Sequence, residues 1–364
     1  MKHTDRQRKE TIFFAYQAPP KGENDVCADA LRSAIQSFNS HQKKFTAISW
    51  ENFKTSAQIS QEVQSAISGC SIFACDATHF NPNVLFELGY AIGKGKEILI
   101  LLNETVDGAA ARYHDSFLKG YRYHPFTNRN EISAALQNKH YSNNIGRQLL
   151  DQKVSTISDL FYIKSSVSTE ASIELTAYID KLSVLKIVDD IAESKFKTND
   201  WYARSILATQ VVLIDFIGSN MAGASYENAW KAFYAGLALS LDRKVLITAP
   251  AKFRPPLDLH EIVITYRDPS NLIDSATPLI NEWLNDSKQP SSETAQPVID
   301  RKLDLLKLAI GEGIAEQERD RLQYYFVETP EYRAALEKSH VLIVGSKGTG
   351  KTESKAILGS NATH

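Results

Sequence analysis

Two hydrophobic periods alternate along the first hundred residues of the chain. Runs that are apolar at almost every position predict buried strands, and they stand at 12–16, 45–50, 71–76 and 97–102. Between the first two runs, apolar side chains recur with the spacing of one helix face, at Cys27, Leu31, Ala34, Ile35 and Phe38. Strands that are apolar on both faces are typical of parallel sheets with helices on each side. The pattern therefore predicts a doubly wound α/β domain.

The same order of elements returns between residues 158 and 249. The apolar run at 211–215 ends in Asp215 as the earlier one ends in Asp76, and FYAGLA at 233–238 repeats FELGYA at 86–91. Because this order holds over about ninety residues, we predict a tandem duplication. The alternative is a chance similarity between two segments that both alternate strand and helix.

Composition narrows the class of protein. The 364 residues include 43% apolar types, enough for real cores, and the 41 basic residues nearly balance the 43 acidic ones. That balance argues against a phosphate backbone as the main partner, so no nucleic-acid partner is predicted. The longest apolar runs are far below the ~18 residues of a membrane span. Three cysteines without a CxxC pair indicate reduced thiols, and we predict a cytoplasmic protein.

The sequence predicts no metal site in the strand and helix domains. None of the nine histidines has a partner at the spacing of a metal-binding motif. His79 follows the strand that ends at Asp76, and we expect it to be a solvated loop residue.

Glu87 stands in an otherwise apolar helical run, PNVLFELGYAI, that begins after Asn81. The residues three and four positions later are Tyr90 and Ala91, which carry no charge. Glu87 is also more than a turn beyond the cap, so the helix dipole does not account for it. A buried carboxylate is costly and its pKa is expected to shift, which marks candidates for functional sites. In the alternative interpretation Glu87 is a solvated surface residue and Asp76 caps a loop; spacing alone supports both equally.

Residues 72–102, IFACDATHFNPNVLFELGYAIGKGKEILILL, resemble the nucleoside 2-deoxyribosyltransferase-like domains, which are close in fold to TIR-type domains. The resemblance covers roughly the first 105 residues and implies a flavodoxin-like or TIR-like fold that acts on an N-glycosidic bond. It makes Glu87 the nucleophile or the stabiliser of a sugar cation, with Asp76 as the supporting acid. Asn81 stands where transferases of the family usually have Asp. This departure favours hydrolysis of a nucleotide such as NAD, or binding without turnover, over base exchange.

Four further residues are predicted to bind the substrate. They are Tyr16, Asn81, Asn83 and Gly89. Tyr16 follows the first strand and could stack on a base, with core packing as the alternative. Asn83 lies on the same helical stripe as Glu87, one turn nearer the sheet edge where ligands of such folds bind. Gly89 would let a helix or a ligand approach closely.

The second copy lacks the glutamate of the first. Tyr234 occupies the position of Glu87, and Glu227 falls in the first turn after the expected cap Ser225, where the helix dipole accounts for it. We predict a degenerate half that supports the fold or dimerisation. The alternative is a nucleotide sensor that uses the same cleft without a nucleophile.

A glycine-rich loop follows an apolar run at 340–344. Its sequence GSKGTGKT matches the phosphate-binding motif GxxxxGK[ST], and an accidental glycine loop is the alternative. The predicted ATP-binding residues are Gly345, Gly348, Gly350, Lys351 and Thr352. The glycines would let backbone N–H groups surround the phosphates, the lysine would meet the outer phosphates, and the threonine would ligate Mg²⁺. Only twelve residues follow, so we expect a truncated ATPase that binds ATP and Mg²⁺ only when intact.

The predicted fold class is α/β, with two tandem doubly wound parallel-sheet domains. The predicted segments are 11–150 for the first domain, 157–285 for the degenerate copy, 286–299 for a linker, 300–338 for a helical segment and 339–364 for the truncated P-loop start. A glycosidase-like domain joined to such an ATPase resembles bacterial anti-phage defence proteins. This arrangement predicts an effector that cleaves a nucleotide or NAD and that assembles as a homo-oligomer. The alternative is a non-catalytic nucleotide-binding module that regulates the ATPase, or a scaffold whose clefts are filled by side chains.

Overall fold

A computed structural model describes most of the first 286 residues. The described residues are 10–19, 25–41, 45–53, 59–137, 158–189, 197–251, 253, 259 and 262–286. All of the described residues belong to one compact unit of the chain, within Met1–Pro290. The predicted linker, the helical segment and the five P-loop residues lie outside the described residues.

The first sheet has five parallel strands in the order β2-β1-β3-β4-β5. The strands are β1 (Glu10–Ala15), β2 (Phe45–Ser49), β3 (Ile72–Asp76), β4 (Glu97–Leu102) and β5 (Tyr123–Pro125). The helices are α1 (Val26–His41), α2 (Ile59–Gly69), α3 (Pro82–Gly93), α4 (Ala109–His114) and α5 (Arg129–Gln137), with 3₁₀ turns at Trp50–Asn52 and Phe117–Gly120. Successive strand residues point to opposite faces: Phe14 and Ala74 pack on the α1 side, and Phe13 and Phe73 on the α3 side. Both faces of the sheet are therefore covered.

The second sheet repeats this topology in the order β10-β9-β8-β6-β7, and every pair in it is parallel. Its strands are β6 (Leu160–Ile163), β7 (Lys186–Val188), β8 (Val211–Asp215), β9 (Lys244–Pro250) and β10 (Val263–Tyr266). Its helices are α6 (Glu170–Lys181), α7 (Asn199–Leu207), α8 (Ala224–Ser240) and α9 (Pro269–Asp286). Two doubly wound α/β layers with one strand order confirm the predicted fold class. Among the described residues we find no helix with the length and hydropathy that a bilayer span needs.

The two layers pack through α3 and α8. A Cβ atom at Gly89 would lie 1.9 Å from the carbonyl oxygen of Phe233, and one at Gly236 would lie 2.0 Å from that of Phe86. These contacts are reciprocal, because Phe86 and Gly89 occupy the same places in the first copy as Phe233 and Gly236 in the second. The tandem copies therefore form an internal pseudo-dimer, and glycine at both positions allows the two backbones to touch.

Candidate functional site

The candidate site lies at the carboxyl end of β1 and β3. These neighbouring strands continue into helices on opposite faces of the sheet, α1 and α3, so the sheet has its topological switch point between them. Ligands of open α/β sheets bind in the crevice at such a point. The residues that follow β1 and β3 are therefore the first to consider.

Asn81 is the cap of α3, and its side chain connects the loop that follows β3 with the loop that follows β1. Its side-chain oxygen accepts hydrogen bonds from the backbone N–H groups of Asn83 and Val84, at 2.9 and 3.4 Å, and Pro82 is the first helical residue. This is the start that the sequence predicts. The Asn81 amide donates to Gln17 Oε1 at 3.4 Å, which joins the loop after β3 to the loop after β1.

Asp76 is 4% exposed at the end of β3. Its Oδ1 accepts from the backbone N–H of Thr78 at 3.0 Å and from the Thr78 hydroxyl. The same hydroxyl accepts from the backbone N–H of Asn103 at 2.9 Å. Burial raises the pKa of Asp76, and the hydrogen bonds from Thr78 oppose that rise. Asp76 thus organises its own loop, as the alternative interpretation expects, while holding its proton to a higher pH than an exposed aspartate.

Glu87 is 5% exposed in α3, so the interpretation of it as a solvated surface residue is wrong. Burial raises the pKa of the Cys75 thiol, and the charges of Asp76 and Glu87 add to that rise. Both carboxylates are therefore within electrostatic range of Cys75, the residue before the end of β3. Cys75 packs on the α3 side of the sheet, and strand alternation directs Asp76 to the other side. The two carboxylates flank the end of β3.

The other predicted substrate-binding residues differ in what surrounds them. Asn83 has a buried Oδ1 that accepts no hydrogen bond from the described residues, which leaves an acceptor beside the switch point. Tyr16 is buried, packs 6.1 Å from the Trp50 ring and donates to Ser49 Oγ at 3.4 Å; burial raises its pKa to about 12. This is the core packing that was the alternative for Tyr16. Gly89 lies at the α3–α8 contact, so the approach of a helix accounts for it.

A further cluster at this edge of the sheet was not predicted from the sequence. Asp25 caps α1 by accepting from Cys27 N at 2.8 Å, and its other oxygen lies 3.9 Å from His79 Nε2. One ligand atom each from Asp25, Cys27 and His79 lies within 4.8 Å of the other two. Burial, followed by the charge of Asp76, raises the pKa of Cys27 to about 12. His79 is partly exposed, as a loop residue should be, but it has partners that sequence spacing did not reveal. The sequence could not reveal this cluster, because its residues follow β1 and β3, which are far apart in the sequence and become neighbours only in the folded sheet.

In the second copy, the place of Glu87 is filled by aromatic side chains. The Tyr234 ring stacks on Tyr202 with centroids 4.6 Å apart, and its hydroxyl donates to Asn199 Oδ1 at 2.7 Å. Trp230 and Phe233 also contact the Tyr234 ring. Tyr234 is fully buried, so this position offers neither a carboxylate nor space for a sugar.

The expected explanation of Glu227 is wrong. Helix α8 begins at Ala224 with Gly223 as its cap, at φ 77°, rather than at Ser225. Glu227 is buried and accepts from Lys231 Nζ at 2.7 Å and from the backbone N–H and the hydroxyl of Ser166. Despite burial, these partners hold the pKa of Glu227 below its ordinary value. The helix dipole alone therefore does not account for Glu227, because it also has a buried ion pair and two hydrogen bonds from Ser166.

Asp215 makes the stability of the second layer depend on pH. It is buried at the end of β8, and burial raises its pKa from 3.8 to about 6, with the Lys231 charge opposing the rise. The folded chain therefore binds more protons than the unfolded chain between these two pH values, so this contribution favours folding at low pH and is lost as pH rises to 6. Asparagine carries no titratable group, so this cost is absent from Asp215→Asn. We therefore expect the free energy of unfolding of Asp215→Asn, minus that of the original chain, to rise by about 2–3 kcal/mol from pH 4 to pH 7.5. Urea unfolding of both proteins at the two pH values measures this difference, and an equal difference at both would contradict it.

The comparisons with known proteins add little. No protein-family model matches the chain, and no curated protein matches it either. One similar solved structure is the CMP N-glycosidase of Clostridium botulinum. It is 18% identical, the match covers 35% of this chain and 98% of that one, and the TM-score is 0.26. At this score the likeness establishes neither the fold nor the activity of this chain.

Proposed function

We propose that the first domain hydrolyses the N-glycosidic bond of a nucleotide or nucleoside at the crevice between β1 and β3. The observation that carries this proposal is the burial of Glu87 in α3, the helix that follows β3, within electrostatic range of Cys75 near the end of that strand. Apolar residues surround it in the helix sequence. A buried carboxyl group near the carboxyl end of a parallel sheet is a candidate for a functional group.

The proposed reaction uses two carboxyl groups in different roles. As the C1′–N bond breaks, its electron pair moves to the base and positive charge develops on the sugar. The Glu87 carboxylate stabilises that charge or bonds to C1′, and water then completes the hydrolysis. A proton must reach the departing base. Asp76 suits this role because burial raises its pKa and keeps it protonated to a higher pH.

A second candidate function is nucleotide binding without turnover. The Asn81 oxygen is already used to cap α3, so it is not available as a second catalytic acceptor. Under this alternative the domain would regulate the ATPase that the sequence predicts at 339–364. Coupling to that ATPase and a role in anti-phage defence remain predictions from the sequence, as do NAD as substrate and assembly as a homo-oligomer.

The test is release of free base by the purified chain. The substrates are NAD, one purine and one pyrimidine nucleoside monophosphate, and the deoxynucleosides, with products separated by liquid chromatography. Calorimetry on the same compounds measures binding. Base release from any of them supports the enzyme, whereas binding without release supports the alternative. If neither occurs, the proposal fails.

A further inference from the structure

We propose that Asp25, Cys27 and His79 bind one divalent transition-metal ion of the zinc class at the rim of the first-domain crevice. The three side chains supply one oxygen, one sulfur and one nitrogen ligand, all within 4.8 Å of one another. Zinc–ligand bonds of about 2.0–2.3 Å hold tetrahedral ligands roughly 3.5 Å apart. A closure of about 1 Å therefore completes the site.

The backbone already orients one of the ligands, Asp25. Asp25 Oδ1 accepts from the N–H groups of Cys27 and Ala28 at the start of α1, so the carboxylate is fixed by the helix end. Its other oxygen, Oδ2, is the one that faces His79 Nε2, at 3.9 Å. The oxygen ligand that caps α1 and the nitrogen ligand from the loop after β3 therefore face each other.

A second, independent observation concerns the sulfur. The side chain of Asn103 is fully buried, and its Oδ1 accepts from the backbone N–H and the hydroxyl of Thr105, at 3.1 and 2.6 Å. This fixes the orientation of the amide, so that Nδ2 donates to Cys27 Sγ at 3.5 Å. A rigid N–H donor directed at a sulfur suits a metal-bound thiolate, because outer hydrogen bonds of this kind orient ligands and tune metal sites.

The ligand set determines the class of ion. Thiolate and imidazole ligands favour zinc and similar transition metals over Mg²⁺ and Ca²⁺, which prefer oxygen. Three protein ligands leave a fourth tetrahedral position for water or a ligand group. The side chains of His79 and Asp25 are 33% and 12% exposed, which gives the ion a path from solvent. Binding releases the thiol proton of Cys27 to the solvent.

This metal site is independent of the proposed glycosidic activity, because its test does not depend on turnover. Metal-free protein is titrated with Zn²⁺ and, separately, with Co²⁺, whose absorption spectrum reports sulfur ligation and tetrahedral geometry. We expect one strongly bound ion per chain and a thiolate-to-cobalt band. Cys27→Ser should abolish the band, and both Cys27→Ser and His79→Asn should weaken Zn²⁺ binding by at least about 100-fold.

Cys70→Ser is the matched control. Cys70 is also a buried free thiol, but it lies after α2 and donates to the backbone carbonyl of Ile67. Its replacement should leave both the band and the affinity unchanged, and circular dichroism shows that each variant is folded. The proposal is overturned if no strongly bound ion is found, if the band is missing, or if Cys27→Ser and His79→Asn bind Zn²⁺ as the original chain does.

Discussion

Replacing Gly89 by alanine is expected to destabilise the chain by about 3 kcal/mol, at the upper end of what overpacking costs. The new Cβ would lie 1.9 Å from the carbonyl oxygen of Phe233 and 3.0 Å from the backbone nitrogen of Leu237. Both neighbours are helix backbone, so a side-chain rotation cannot relieve the clash and α3 must move away from α8. Gly236→Ala should have a similar effect, because it faces the Phe86 carbonyl at 2.0 Å.

Gly69→Ala is the control for these substitutions. Gly69 is the last residue of α2, and nothing lies within 4 Å of the position that its Cβ would take. Its replacement should change the free energy of unfolding by less than about 0.5 kcal/mol. Urea denaturation followed by tryptophan fluorescence compares the three variants. Equal midpoints for Gly89→Ala and Gly69→Ala would contradict the contact between α3 and α8.

Lys231→Met is expected to destabilise the second layer by about 3–5 kcal/mol, the usual cost of removing one member of a buried ion pair. The Lys231 side chain is fully buried and its Nζ donates to Glu227 Oε1 at 2.7 Å and to the backbone oxygen of Asp215. Without Lys231, the Glu227 carboxylate and the Asp215 carboxyl group lose the cation that offsets the free-energy cost of burying them. Thermal and urea unfolding at pH 7.5 measure the loss.

The double variant Lys231→Met with Glu227→Gln separates the ion pair from simple packing. The double variant also removes the buried charge of Glu227, which Lys231→Met leaves without its cation. It should therefore recover part of the stability that is lost in Lys231→Met. Lys94→Met is the surface control, since Lys94 lies 3.9 Å from the almost wholly exposed Asp242, and such pairs contribute at most about 1 kcal/mol. A double variant that is less stable than Lys231→Met would argue against the buried charge as the cause.

The parts of the fold that the sequence predicts well depend on local signals. Helix α3 begins at Pro82 after an asparagine cap, and β4 and β8 have the predicted bounds. The start of α8 was misplaced because a glycine in the left-handed region, Gly223, ends the loop before Ser225. The spacing of Glu227 and Lys231, four residues apart in one helix, was a usable signal of their ion pair.

The parts that sequence reasoning missed depend on contacts between distant segments. Asp25 and His79 are more than fifty residues apart in the sequence, and they meet because β1 and β3 pair directly. In the same way, Gly89 was predicted to let a helix or a ligand approach, and only the packing of the second copy shows that the neighbour is a helix. For Glu87, composition and spacing left burial and exposure equally supported, and only tertiary packing decides between them.

Base release by Glu87→Gln tests the central claim most directly. The substitution keeps the shape of the side chain and removes its charge, so we expect kcat to fall at least about 1000-fold while nucleotide binding changes only a few-fold. Glu97→Gln is the matched control, because Glu97 is exposed at the opposite end of the same sheet, and it should turn over at the original rate. Release by Glu87→Gln at the rate of the Glu97→Gln control would contradict the claim that the buried glutamate of α3 performs the reaction.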